Sequence, residues 1–359
     1  GSSAARIGVS LADAPAQDIA SQSEAMAWMN ALRAPISGAL RTEVDDQGEL
    51  GPLNATLQIG EGVVQPEEEA KPIPFDGAQA YFTFEPKENT LEFSEVSIKS
   101  AWIEARGEGV ARLQNAPEGW PEALLGQFRL SSVSANPRGL YEDPVTLEKA
   151  EMDMRIVFDP FRLDIGQLVL HEAEQTLIAS ARADVGLDGW RVAVDARADT
   201  LDITKVMDVW PDGSRPKTRN WIAQNILKGS LHDARLAFRA VPDEKPDLHL
   251  NFTYDDADLR FMKTMPVIKD GRGYVRIEGA RLLAAAEAGY VSPPQGGKID
   301  VAGTVFEIPD MSLKGAPAKV RLSTKSTITA ALSLLDQEPF QFLSKVGQSV
   351  TIADGRTQL

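Results

Sequence analysis

Leu91-Glu92-Phe93-Ser94-Glu95-Val96-Ser97-Ile98 is the stretch that decides how this chain folds. Its apolar members Leu91 and Phe93 stand at odd positions, Val96 and Ile98 at even ones. A strand turns successive side chains to opposite faces, so a mid-strand switch of parity keeps the apolar set on one side only if an extra residue is inserted. A β-bulge supplies that residue, and its kink adds bend and twist. The polar partners Glu92, Ser94, Ser97 and Lys99 then fall on the opposite, water-facing side.

The pattern recurs. Tyr81, Phe82 and Phe84 lead through Glu85-Pro86 into the first motif; Met154, Ile156 and Phe158 lead through Asp159-Pro160 into Leu163-x-Ile165-x-x-Leu168-x-Leu170, an offset of 72 residues (91 to 163). Each motif is followed by another strand-like run, over 103–110 and 178–185. The spacing returns as Val275-x-Ile277-x-x-Ala280-x-Leu282, and more loosely as Phe252-x-Tyr254-x-x-Ala257-x-Leu259. Bulges repeated in successive strands would curl a sheet into a trough. The expected fold is therefore mainly β: an elongated, repeating antiparallel sheet curled into a groove of β-taco form, with a few short capping helices. Leu91, Phe93, Val96, Ile98, Leu163, Ile165, Leu168, Leu170, Val275, Ile277 and Leu282 would line its apolar side.

Away from the repeat, residues 210–229 (WPDGSRPKTRNWIAQNILKG) carry the best-punctuated helix signal. Ser214 can cap, Pro216 suits a first turn, Trp221, Ile222, Asn225 and Ile226 line one face, and Gly229 permits a left-handed stop. Trp221, Ile222 and Ile226 are expected to seat this helix as a structural cap on an end or edge of the sheet. Ser21-Gln22-Ser23-Glu24 reads as a capping box ahead of a helix ending before Pro35. Leu53, Ala55, Leu57 and Ile59 alternate as a strand, Glu67-Glu68-Glu69 as a solvated loop, residues 319–331 as a Ser- and Thr-rich strand, and 333–347 as a helix broken at Pro339. The chain divides into a tag scar (1–3), an N-terminal segment with a short helix (4–40), a first β section (41–209), a helical insertion (210–229) and a second β section (230–359), without a sharp boundary.

Composition sets limits on function. A hydrophobic content of 43% in 359 residues can fill a core. A net charge of −15 offers no basic stripe to displace phosphate counterions, so nucleic acid is not an expected partner. With no cysteine, disulfides and thiolate metal sites are impossible. No run of 18 apolar residues and no signal peptide is present, and the chain reads as an excised soluble piece, expected to be monomeric. The chemical inventory is sparse: His171, His232 and His249 lie far apart, Gly107-Glu108-Gly109 lacks the rest of a dinucleotide fingerprint, and Asp255-Asp256-x-Asp258 lacks the glycine and terminal glutamate of a calcium loop. No catalytic residue, metal or cofactor is expected. Two uses remain for the apolar face: a lipid-binding groove, or the dry core of a β-solenoid or sandwich that serves as a scaffold or interaction module.

Residues 210–229, followed by 231–238, 257–279 (ADLRFMKTMPVIKDGRGYVRIEG) and 330–347 (AALSLLDQEPFQFLSKVG), resemble in their order the conserved region of AsmA-like, YhdP-type envelope proteins, relatives of TamB. The resemblance covers the chain from about residue 20 onward. It implies a periplasmic segment of a long protein anchored in the inner membrane of a Gram-negative bacterium. It also implies a bridge-type lipid transfer function, with phospholipid acyl chains and the two membranes as partners, and offers no catalytic residues to carry over.

Overall fold

The computed structural model describes residues 5–22, 29–68, 70–114, 121–136, 141–172, 175–203, 206–207, 210 and 216–359. Among them, 21 strands belong to one antiparallel sheet that does not close on itself, with a few short helices and a small three-stranded sheet beside it. Contacts divide the chain into two compact units.

The first unit, Gly1–Ala196 with Phe238–Pro246, holds the strands β1 (Ala5–Pro15), β2 (Leu32–Arg33), β3 (Pro35–Val44), β4 (Leu53–Ile59), β5 (Gly62–Val64), β6 (Ile73–Phe75), β7 (Gly77–Glu85) and β8 (Thr90–Lys99). After these come β9 (Ile103–Gln114), β10 (Ala123–Ala135), β11 (Val145–Leu147), β12 (Ala150–Val157), β13 (Arg162–Glu172), β14 (Gln175–Gly186) and part of β15 (Gly189–Asp202). The pairing is an up-and-down meander in which β1, β3, β4, β7, β8, β9, β10, β12, β13 and β14 each lie antiparallel to the next. Short connections suffice for such a path, because each strand returns beside its predecessor. β2, β5 and β6 make the small sheet.

The bulges fall where the parity switches. Phe93 pairs with Gly109 and Val96 with Gly107, so Ser94 and Glu95 together face the single residue Glu108. In the second motif Ile165 pairs with Ala181 and Leu168 with Ala179, leaving Gly166 and Gln167 against Ser180. The looser fourth motif is also a bulge, with Asp255 and Asp256 set against Arg272. The third is not: residues 275–278 end one strand, Gly279-Ala280 turn, and Leu282 lies on the next strand directly opposite Ile277. A two-residue hairpin switches parity just as a bulge does. Asp13, Asp256 and Asp270 take a left-handed backbone at irregular points of register, with φ between 47° and 51°, a conformation that short polar side chains tolerate best after glycine.

Residues 4–40 differ from expectation. The long strand β1 and the start of β3 lie in this segment, and Ile7, Val9 and Leu11 alternate with Arg6, Gly8 and Ser10 on β1. Ser21 follows the short helix Ala16–Ala20, closing it rather than opening another. Of the rest of the expected capping-box helix, 23–28 lie outside the described residues, as do residues 1–3 and Glu69, while 29–31 form a 3-10 turn and Leu32–Arg33 the strand β2.

The second unit, Arg197–Ala237 with Asp247–Leu359, carries most of β16 (Ile226–Ala240), then β17 (Asp247–Leu259), β18 (Ile268–Glu278), β19 (Arg281–Val291), β20 (Ile299–Asp300), β21 (Val305–Ile308), β22 (Lys319–Arg321), β23 (Lys325–Thr327) and β24 (Arg356–Gln358). β17, β18 and β19 form a meander, after which β19 splits its pairing between β21 at residues 282–285 and β20 at Tyr290 and Val291.

Here the helices correct the sequence reading. Of the helix expected over 210–229, the structure shows Pro216–Asn225, with 211–215 and the Ser214 cap outside the described residues, and the chain passes directly into β16. Gly229 lies inside that strand at φ 154°, a backbone conformation that residues with a side chain rarely adopt, beside the Asp255-Asp256 bulge, and does not stop a helix. Trp221 is not seated on the sheet: it stands 46% exposed, while Ile222 and Ile226 are half-buried. Trp221→Ala is therefore expected to change the melting free energy by less than about 1 kcal/mol, far below the ~3–5 kcal/mol of a buried tryptophan; a large drop in a thermal melt would mean that the side chain is packed.

The expected strand over 319–331 stops early, because Thr327 caps the helix Ile328–Leu335, its hydroxyl accepting from the Ala330 amide at 3.0 Å. What was expected as a broken helix over 333–347 is the end of this helix, a loop, and a 3-10 turn at Ser344–Val346. The helix makes a dry core. Val291, Ile299, Val301 and Ala330 are buried together, with Ile268, Ala286 and Leu334 packed against them. Gly296 lets the preceding turn approach: with φ 88°, the site of its Cβ lies 2.6 Å from Ala330 Cα, and its carbonyl accepts from the Thr327 hydroxyl at 2.7 Å.

Candidate functional site

Directly opposed residues of antiparallel strands share a face, so the registers trace apolar rows across the first unit. One runs Ala55, Phe82, Phe93, Gly109, Phe128, Met152, Leu168 and Ala179. A second runs Leu53, Phe84, Leu91, Ala111, Gly126, Met154, Ile165 and Ala181. A third joins Ala80, Val96, Gly107, Leu130, Ala150, Leu170 and Leu177. The two motifs read from sequence therefore lie on one face, staggered so that Leu91 shares a row with Ile165, Phe93 with Leu168 and Val96 with Leu170. Leu163 sits opposite Ile156 in the next row. Ile98 marks the margin, 43% exposed.

The face is lowest at β9, whose contribution is Ala105, Gly107, Gly109 and Ala111. Neighbouring rings lean over this strip: Phe93 meets Phe82 at 5.4 Å and Phe128 at 5.6 Å between centroids, both tilted. Phe128 is buried and was not singled out in the sequence, although its alternation with Gln127 and Arg129 carries the signal. Met152, Met154 and Phe82 were likewise passed over as lining, although Phe82, Met154 and their neighbours lead into the two motifs.

The reverse face is mainly polar, with Tyr81, Val110 and Leu125 exposed among its charges. Arg106 reaches Glu95 at 3.6 Å, and Gln127 donates to Asp153 at 3.1 Å. Asp164 accepts from Arg182 at 2.6 Å and Arg162 at 2.8 Å. Partial burial pushes the Asp164 carboxyl upward, but the two guanidinium groups outweigh it and hold it below the ordinary carboxylate range.

In the second unit, Leu250, Ile277, Leu282 and Ile308 form one row, and Phe252, Val275, Ala284 and Phe306 the next. The three residues predicted there, Val275, Ile277 and Leu282, thus share a face. Two positions along the strands, Ala286 on the same side enters the dry core under the helix Ile328–Leu335. The helix Ile328–Leu335 packs on that end of the apolar face through Ala330 and Leu334.

Burial is what sets the face apart from an ordinary core. Ten of the eleven predicted residues are half-buried and Ile98 is exposed, whereas a second covering layer would leave such side chains almost inaccessible. Among the described residues no large side chain is less than 2% exposed.

Asp256 takes Lys228 at 2.6 Å, and Asp247 lies 2.9 Å from His249 Nε2. His232 Nδ1 lies 3.3 Å from the Thr200 hydroxyl, while its buried Nε2, 3.1 Å from the Asp255 carboxylate, makes no hydrogen bond. His171 is within 3.5 Å of the Thr176 hydroxyl. Among the described residues no group of three or more such side chains is placed to hold a metal, and no helix is long and apolar enough to cross a membrane. Compared with family models, curated proteins and solved structures, the chain finds no match.

Proposed function

We propose that the apolar face of each unit is a lipid-binding surface on which acyl chains replace the absent second protein layer. The observation that carries this reading is the half-burial of a contiguous apolar face backed by a charged one. Each methylene removed from water contributes about 0.8 kcal/mol, so an acyl chain laid along such rows binds without a specific polar contact. Headgroup selectivity is then low, and the role is binding, not catalysis.

The resemblance to AsmA-like, YhdP-type envelope proteins makes phospholipid the proposed ligand. The proposed setting is a periplasmic segment of an inner-membrane-anchored, bridge-type protein that conducts lipid between the two membranes of a Gram-negative envelope. The competing scaffold reading is favoured at one place, the dry cluster of Val291, Ile299, Val301 and Ala330. Mass spectrometry of organic extracts from the purified chain tests the proposal. Phospholipid in stoichiometric amount is the expected result, and protein free of lipid after expression and after incubation with vesicles would favour the scaffold.

A further inference from the structure

The loop that follows the helix Ile328–Leu335 uses its polar groups to hold its own backbone: Asp336 Oδ1 accepts from the amides of Leu343 and Ser344 at 2.9 and 2.8 Å and from the Ser344 hydroxyl at 2.9 Å. The Lys345 ammonium donates to the carbonyl of Phe340 at 2.8 Å, and the Thr264 hydroxyl ties the loop to β18's approach by donating to the Glu338 carbonyl at 2.5 Å. All nine amides from Phe340 to Gln348 have acceptors within residues 335–344. Its apolar side chains face water instead. Phe342 is 57% and Val346 67% exposed, Leu335 and Phe340 are exposed as well, and the two phenylalanine rings stack at 5.5 Å.

We propose that this loop, residues 335–347, is a docking element for the surface of a zwitterionic lipid bilayer, with Phe340 and Phe342 as the inserted pair. Bringing backbone toward the acyl region is costly wherever an amide lacks a partner, and here the amides are already satisfied. Aromatic side chains are favoured at the level of the headgroups, and a lysine at the base of the insertion can keep its charge in water. The chain's net charge of −15 disfavours anionic lipid, so attachment is driven by apolar contact and is insensitive to salt. A protein partner recognised through backbone pairing would need free amides, which this loop does not offer.

The inference does not rest on the groove reading. Its test is flotation of the full chain with phosphatidylcholine and phosphatidylethanolamine vesicles. The unaltered chain is expected to float at low and high salt, and the Phe340→Ser, Phe342→Ser double variant to partition at least about tenfold more weakly, since two buried aromatic contacts are lost. Because the chain has no cysteine, Phe342→Cys accepts a single environment-sensitive dye, whose emission should rise when vesicles are added. An unaltered chain that stays at the bottom of the gradient, a double variant that floats equally, or a dye that does not respond would each overturn the proposal. So would capture of a protein by the loop without vesicle binding. A chain that carries lipid but never floats overturns the docking element and spares the groove; one that floats without carrying lipid does the reverse.

Discussion

Leu168→Asp is expected to give a soluble, folded protein that no longer holds lipid at its first unit. Leu168 is half-buried, shares a row with Phe93, Phe128 and Met152, and faces Ala179 on β14. In a dry core, a carboxylate there would be stranded without a partner at a cost of several kcal/mol, a large share of the ~5–15 kcal/mol that holds a domain together. On an open face it reaches water whenever lipid is absent, and the fold survives. An acyl chain could return only by desolvating that charge. Photo-crosslinking to lipid from a probe at Ile165, across the bulge on the same strand, should therefore fall at least about tenfold while the circular dichroism spectrum and melting curve stay near those of the unaltered chain. Collapse of the variant would show a dry core, and undiminished crosslinking would remove lipid from this segment.

How much of this was legible in the sequence depends on what one signal can distinguish. The bulges at Ser94-Glu95 and Gly166-Gln167 were legible because the apolar positions change parity, and the observed registers place the inserted residues there. At Val275 to Leu282 the same change of parity comes from a hairpin turn, and only Gly279, at φ 56°, separates the two cases. Either way Val275, Ile277 and Leu282 end on one face, because a two-residue turn changes parity as a bulge does. β1 carried a plain alternation in Ile7, Val9 and Leu11 that the capping signal at Ser21 obscured. The helix Ile328–Leu335 was hidden by β-branched Thr324, Thr327, Ile328 and Thr329, whose local preference for strand gave way to one capping hydroxyl and to burial of Ala330 and Leu334. Conversely, the punctuation around 210–229 predicted a seat for Trp221 that packing does not supply. Periodicity reports which residues share a face; whether a protein layer or something else covers that face is a property of partners that the local pattern does not encode.

Gly109→Val is expected to destabilise the first unit more than any exposed substitution on the same sheet. β9 presents only Ala105, Gly107, Gly109 and Ala111 to the apolar face, and the Phe93 and Phe128 side chains close over this strip. A Cβ at Gly109 would lie 2.6 Å from Phe128 Cδ1 and closer still to the Gln127 carbonyl oxygen. Neither is a flexible chain end, since one belongs to a buried ring and the other to the backbone of the paired strand. The ring must leave its contact with Phe93, or β9 and β10 must separate, and overpacking of this kind costs about 1–3 kcal/mol. Gly166→Val is the matched control, because the nearest atom to its Cβ is Asp153 O at 3.9 Å and the bulge leaves the side chain in solvent. Thermal melts should show Gly109→Val several degrees below the unaltered chain, on the order of 2–4 °C per kcal/mol for a unit of this size, with Gly166→Val within about 0.5 kcal/mol of it. Equal, small shifts in both variants would mean that the floor of the apolar face is not closed by Phe93 and Phe128.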